Sequence, residues 1–184
     1  MRERSSSGQP SLAGSLLLAH PSLRDGNFRR AVILMTADDP KGSMGVVVNR
    51  PLSGTLGGLG GEFALGPLAS VPLFHGGPVE SERLLLAAWR AQAHGFQVQF
   101  GIEAERAAAL AADNGAQVRA FYGYAGWGAG QLANELKLHT WLVAEAPPDL
   151  FSQAGGPELW RASVGRQGAE WKLLADEPEE PNQN

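Results

Sequence analysis

Residues 122–136 read YGYAGWGAGQLANEL, and no other stretch limits the fold so tightly. Four glycines and three aromatics fall within residues 122–130, and a helical pattern follows at once. Glycine adopts positive φ and lets backbones come close at no steric cost. The spacing predicts a glycine–aromatic loop that carries Tyr124 and Trp127 to the start of a helix over 130–138. On that helix Gln131 and Glu135 are four apart and share a face, while Leu132 and Leu136 share the neighbouring one. The polar pair then points to a cleft and the leucines anchor the helix. Free N–H groups at a helix start favour an anionic group. Gly126, Tyr124, Trp127 and Gln131 are therefore expected to hold a small ligand with a planar part and a carboxylate or phosphate. The alternative is a glycine-rich corner whose aromatics pack into the core.

Around this segment lie short apolar runs bounded by turn residues. Residues 14–19, 31–36, 44–49, 71–74, 84–89, 96–102 and 117–122 read as strands. Residues 103–114, 149–153 and 157–167 read as helices, and 140–144 as a further strand. Residues 52–66 are glycine-rich and predict at best a weak, mobile helix, since glycine costs about 1 kcal/mol per helical site. Strands outnumber helices and do not alternate with them. The expected fold class is therefore α+β: one domain over residues 11–174, with a mixed sheet. Residues 1–10 lack apolar periodicity, and 175–184 are acidic and proline-broken. Both are expected to be flexible ends.

The composition removes whole classes of chemistry. The 184 residues include no cysteine, which excludes disulfides, thiolate metal sites and a Cys nucleophile. The net charge of −4 comes without any basic block, so direct nucleic-acid binding is not expected. The apolar run at 16–19 is too short for a signal core or a membrane span, and a cytoplasmic location is expected.

The familiar catalytic signatures are missing. His20, His75, His94 and His139 lie far apart and in no metal-ligand spacing, so neither a metal nor a cofactor is expected. Ser43 does not sit in a nucleophile elbow. Asp38 and Asp39 read as a solvated hairpin tip beside Pro40. Three places stand apart. Asn49 and Arg50 end an apolar strand, and Arg50 needs a carboxylate or a ligand anion there. Gly76 and Gly77 form a tight turn in HGGPV. The third is the segment 123–135. An ion pair between Arg50 and Glu135, beneath the loops, would join the first place to the third.

These places also carry a resemblance. LAGSLLLAHPSLRDGNFRRAVILM, SMGVVVNRPL, LFHGGPV and GYAGWGAGQLANEL, followed by Trp141 and Leu142, resemble the YqgE/AlgH family from Leu12 to about Gly168. The resemblance implies a compact α+β domain around a mixed, barrel-like sheet flanked by helices. Some members of that family are linked to exopolysaccharide regulation, and no reaction is established for it. This chain departs from the family pattern near Ala37–Asp38 and Ala87–Ala88, where a histidine is usual, and at Ala133, where a glutamate is frequent. Those losses favour binding over catalysis. The first expectation is a non-enzymatic binding or regulatory protein for an unidentified small molecule or protein partner. Its site would comprise Asn49, Arg50, Gly76, Gly77, Tyr124, Gly126, Trp127, Gln131 and Glu135. The alternatives are a hydrolase-like enzyme using Glu135 and a module that docks on a protein through Tyr124 and Trp127.

Overall fold

A computed structural model describes residues 10–93, 96–152 and 155–176. In chain order these residues form β1 (Ser15–Ala19), β2 (Val32–Asp39), β3 (Gly42–Val47), β4 (Pro51–Thr55), β5 (Pro72–His75), β6 (Val79–Ala91) and β7 (Phe96–Ile102). Then come α1 (Ala104–Ala111), β8 (Gln117–Gly128), α2 (Gln131–Lys137), β9 (Trp141–Glu145), α3 (Gly156–Gly165) and α4 (Ala169–Asp176). The strands make one mixed sheet in the order β4-β5-β8-β3-β2-β1-β9, with β6 also paired to β8 and β7 paired to β6. Among the described residues only β5 and β8 run parallel. The α+β class and the single domain agree with the sequence. The sheet does not close, however, so the barrel-like form implied by the resemblance is an open sheet here.

Period-2 patterning explains why the sheet is covered on both faces. All five residues of β1 are buried. Leu16 and Leu18 join Val32, Leu34 and Val46 in a cluster with Trp160 of α3 and Ala175 of α4. Leu17 and Ala19 face the other way, with Ile33, Met35, Val47 and Leu132 of α2. Helix α1 covers a third cluster, on β5, β6 and β8, through Ala107 and Leu110. A strand buried on both faces reads as a continuous apolar run, as SLLLA and AVILM do. The Trp160 indole N–H donates to the carbonyl of Ala19 at 2.9 Å and so ties α3 to the end of β1.

Strand β8 overturns the expected loop. It continues through the glycines to Gly128 and pairs with β3, from Gly42↔Gly128 to Gly45↔Ala125. Gly123 has φ 72° and lets the strand change phase. Phe121 and Tyr124 are three apart, yet both pack on the first cluster, whereas uninterrupted alternation puts such residues on opposite faces. Ala125 and Trp127 then join the second cluster. The weak helix expected over 52–66 is instead β4 and two short 3-10 turns, Leu56–Leu59 and Gly61–Phe63, with Leu56 fully buried. Helix α4 was not foreseen, and it runs past residue 174 with Ala175 buried. Of the expected flexible ends, residues 1–9 and 177–184 lie outside the described residues.

Candidate functional site

Glu135 projects from α2 into a cage of neutral donors. The indole N–H of Trp127 reaches its Oε2 at 2.9 Å, and that of Trp141 reaches the same oxygen at 2.7 Å. The Gln131 side-chain amide donates to Oε1 at 3.0 Å. The Gln131 Oε1 in turn accepts the Gly128 backbone N–H at 3.1 Å. Trp127 and Trp141 meet edge to face, 6.0 Å between centroids, and Phe28 stands edge-on to Trp141 at 5.6 Å. The carboxylate thus clamps α2 to β8 and β9. Trp127 is only 7% exposed and belongs to the core, as the alternative of a glycine-rich corner with packed aromatics has it.

The expected Arg50–Glu135 ion pair does not form. Arg50 Nη2 donates to the Arg29 carbonyl at 3.3 Å. Burial pulls the Arg50 pKa below the usual guanidinium value, and the nearby charge of Asp25 opposes that shift. Asn49 is buried, and its side chain is spent on the fold. It accepts the Val32 N–H at 2.9 Å and donates to the carbonyls of Arg30 at 2.9 Å and Gly156 at 3.0 Å. Gly76 and Gly77 lie so close to the backbone of Gly123 and Tyr124 that a Cβ on either would collide with it. The requirement for glycine at both positions is therefore a packing requirement.

Two cavities flank the β2–β3 hairpin, and one of them brings three of the anticipated residues together. It has a volume of about 430 Å³ and is bordered by Asp39, Lys41, Met44, Tyr124, Gly126 and the edge of Trp127. The second, of about 550 Å³, lies between the hairpin and α2, walled by Leu12, Leu132, Ala133 and Leu136 with Asp39 and Ser43 at its rim. Asp38 organises this corner. Its Oδ2 accepts the Leu12 N–H at 2.8 Å and its Oδ1 the Ser43 hydroxyl at 2.7 Å. Asp39 borders both cavities, although its sequence context reads as a solvated tip. Its place depends on the β3–β8 pairing, which no local pattern announces.

Among the described residues no three His, Cys, Asp or Glu side chains are grouped to hold a metal. His20 is pulled below its ordinary pKa by burial and then by the charge of His139. His94 lies outside the described residues. No helix of the described residues is long and apolar enough to cross a membrane.

A family model described as AlgH-like matches residues 16–172. The chain is 37% identical over 187 residues to a UPF0301 protein of Streptomyces coelicolor, covering 95% of this chain and 96% of that one. It is 32% identical to a UPF0301 protein of Chlorobium luteolum, with 94% of each covered. In three dimensions it matches the solution structure of the AlgH protein from Pseudomonas aeruginosa with a TM-score of 0.66 and 26% identity, over 98% of this chain and 100% of that one. A crystal structure of a Corynebacterium diphtheriae protein matches with a TM-score of 0.70 at 24% identity, over 95% of each, a likeness of fold.

Proposed function

The chain belongs to the AlgH-like family, and on that premise we propose that it is a small-molecule-binding protein of regulatory rather than catalytic role. The ligand enters the 430 Å³ cavity over β8. One observation carries this proposal: Tyr124 and Gly126, singled out by the sequence, border a cavity with the charged hairpin residues Asp39 and Lys41. A largely apolar cavity with a few directional polar groups is the usual form of a ligand site.

The hydrolase reading is disfavoured by the state of Glu135, whose two oxygens already accept three hydrogen bonds. A general base must be free to take a proton at the reacting group. Docking through Trp127 is disfavoured by its burial.

Gly126 supplies the test. It has no positive φ, and a Cβ there would meet only the Tyr124 ring at 3.5 Å and Val79 at 3.8 Å, both ordinary contacts. Gly126→Leu should therefore fold and fill the cavity. In a ligand-observed NMR screen of planar aromatic fragments that carry no carboxylate, against the full chain, hits on the wild type should lose binding in this variant at unchanged Tm. Absence of hits, or equal binding to both proteins, sinks the proposal.

A further inference from the structure

Arg119 of β8 lies on the sheet face opposite the Trp127 cluster and is surrounded by aromatic rings. Its guanidinium carbon stands 5.8 Å from the ring centroid of Phe74, 5.9 Å from that of Trp89 and 6.0 Å from that of Phe151. Trp89 and Phe151 are themselves stacked at 3.9 Å. No carboxylate pairs with this cation among the described residues. Its one acceptor is the carbonyl of Val118, which takes Nη1 at 3.3 Å.

The other edge of the guanidinium is free. Nε is buried with no acceptor, and so is the indole Nε1 of Trp89 beside it. Nη2 donates to no residue. Nε and Nη2 form the side-on fork with which arginine grips a planar oxyanion through two parallel hydrogen bonds. Buried donors in native proteins are nearly always satisfied, so two orphans on adjacent side chains call for an acceptor. Burial also lowers the Arg119 pKa, the signature of a cation short of negative charge.

We propose that Arg119 and Trp89 bind a small organic carboxylate, its oxygens on the Arg119 Nε/Nη2 edge and the Trp89 N–H, and its apolar body against Phe74 and Phe151. The aromatic walls select a carboxylate with an apolar body over a fully hydrated inorganic anion. Phe151 sits on the three-residue turn Leu150–Ser152. This site is separate from the cavity at Gly126, which borders the β2–β3 hairpin.

Sodium benzoate is the probe, titrated into the ¹⁵N-labelled full chain against sodium chloride at equal ionic strength. The Trp89 Nε1–H and Arg119 Nε–H signals should shift together and saturate, and Arg119→Met should abolish the Trp89 shift. If that variant does not fold, Trp89→Phe keeps the stacked ring and removes only the N–H. Benzoate affinity, read on Arg119 Nε–H, should then fall several-fold. Gly126→Leu should leave both shifts intact. No saturable shift in the wild type, an undiminished Trp89 shift in Arg119→Met, or unchanged affinity in Trp89→Phe overturns the proposal. Inorganic phosphate binding as tightly as benzoate, or loss of the shifts in Gly126→Leu, overturns it as well.

Discussion

At Glu135 one carboxylate oxygen takes two indole N–H groups and the other takes an amide, with no cation in contact among the described residues. Glutamine at this position keeps the shape but replaces one acceptor oxygen with a donor. Glu135→Gln should either set its amide nitrogen against the Gln131 donor or, flipped, strand both indole N–H groups, and destabilise the protein by about 1–3 kcal/mol in urea unfolding. A loss within about 0.5 kcal/mol, the range of ordinary surface changes, would show that the cage contributes little. Trp127→Ala should cost about 3–5 kcal/mol, as truncation of a buried aromatic does. A fully stable Trp127→Ala protein would contradict its place in the core. The sequence singled out Glu135 and Trp127 but misjudged their partners. Glycine spacing shows where a backbone can bend, and it does not show which side chains meet across a sheet. Arg50 was misjudged for the same reason, since its acceptor, the Arg29 carbonyl, comes from the segment before β2.

At the scale of elements, β8 divides its glycines by task. Gly123 needs its φ of 72°, and a Cβ there would also crowd the carbonyl of Val79 at 2.8 Å. Gly126 needs neither. Gly123→Ala should cost at least about 2 kcal/mol, and Gly126→Ala should change stability by less than about 0.5 kcal/mol. Denaturant midpoints for the pair read this directly, and equal effects would refute the phase change at Gly123. The strands over 96–102 and 140–144 and the helix over 130–138 were legible because their apolar period is local. The full reach of β8 was not. Glycine-rich sequence has weak strand propensity, and its pairing with β3 and β5 supplies what the local sequence lacks. Helix α4 was hidden at one remove: it packs on α3, which itself rests on the distant β1 and β2.

For the whole molecule, the net charge of −4 has no basic stripe to offset it. Duplex DNA at physiological salt should form no submicromolar complex, and a tight complex that weakens steeply with added salt would refute this. The strand β8 has another consequence, for the order in which the chain can fold. It emerges from the ribosome after β3, β5 and β6, yet it is the common neighbour of all three. Its partners reach far back along the chain, as Gly42↔Gly128 and Leu73↔Ala120 show. Such non-local pairings slow folding, because each must close a long loop before it is rewarded. Until residue 128 is made, three upstream strands expose unpaired edges that invite intermolecular pairing. A nascent chain stalled before residue 117 should therefore remain protease-sensitive and hold on to chaperones. Once β8 and then β9 have been made, the sheet should lock in a single cooperative step, with the amides of β8 the last to exchange.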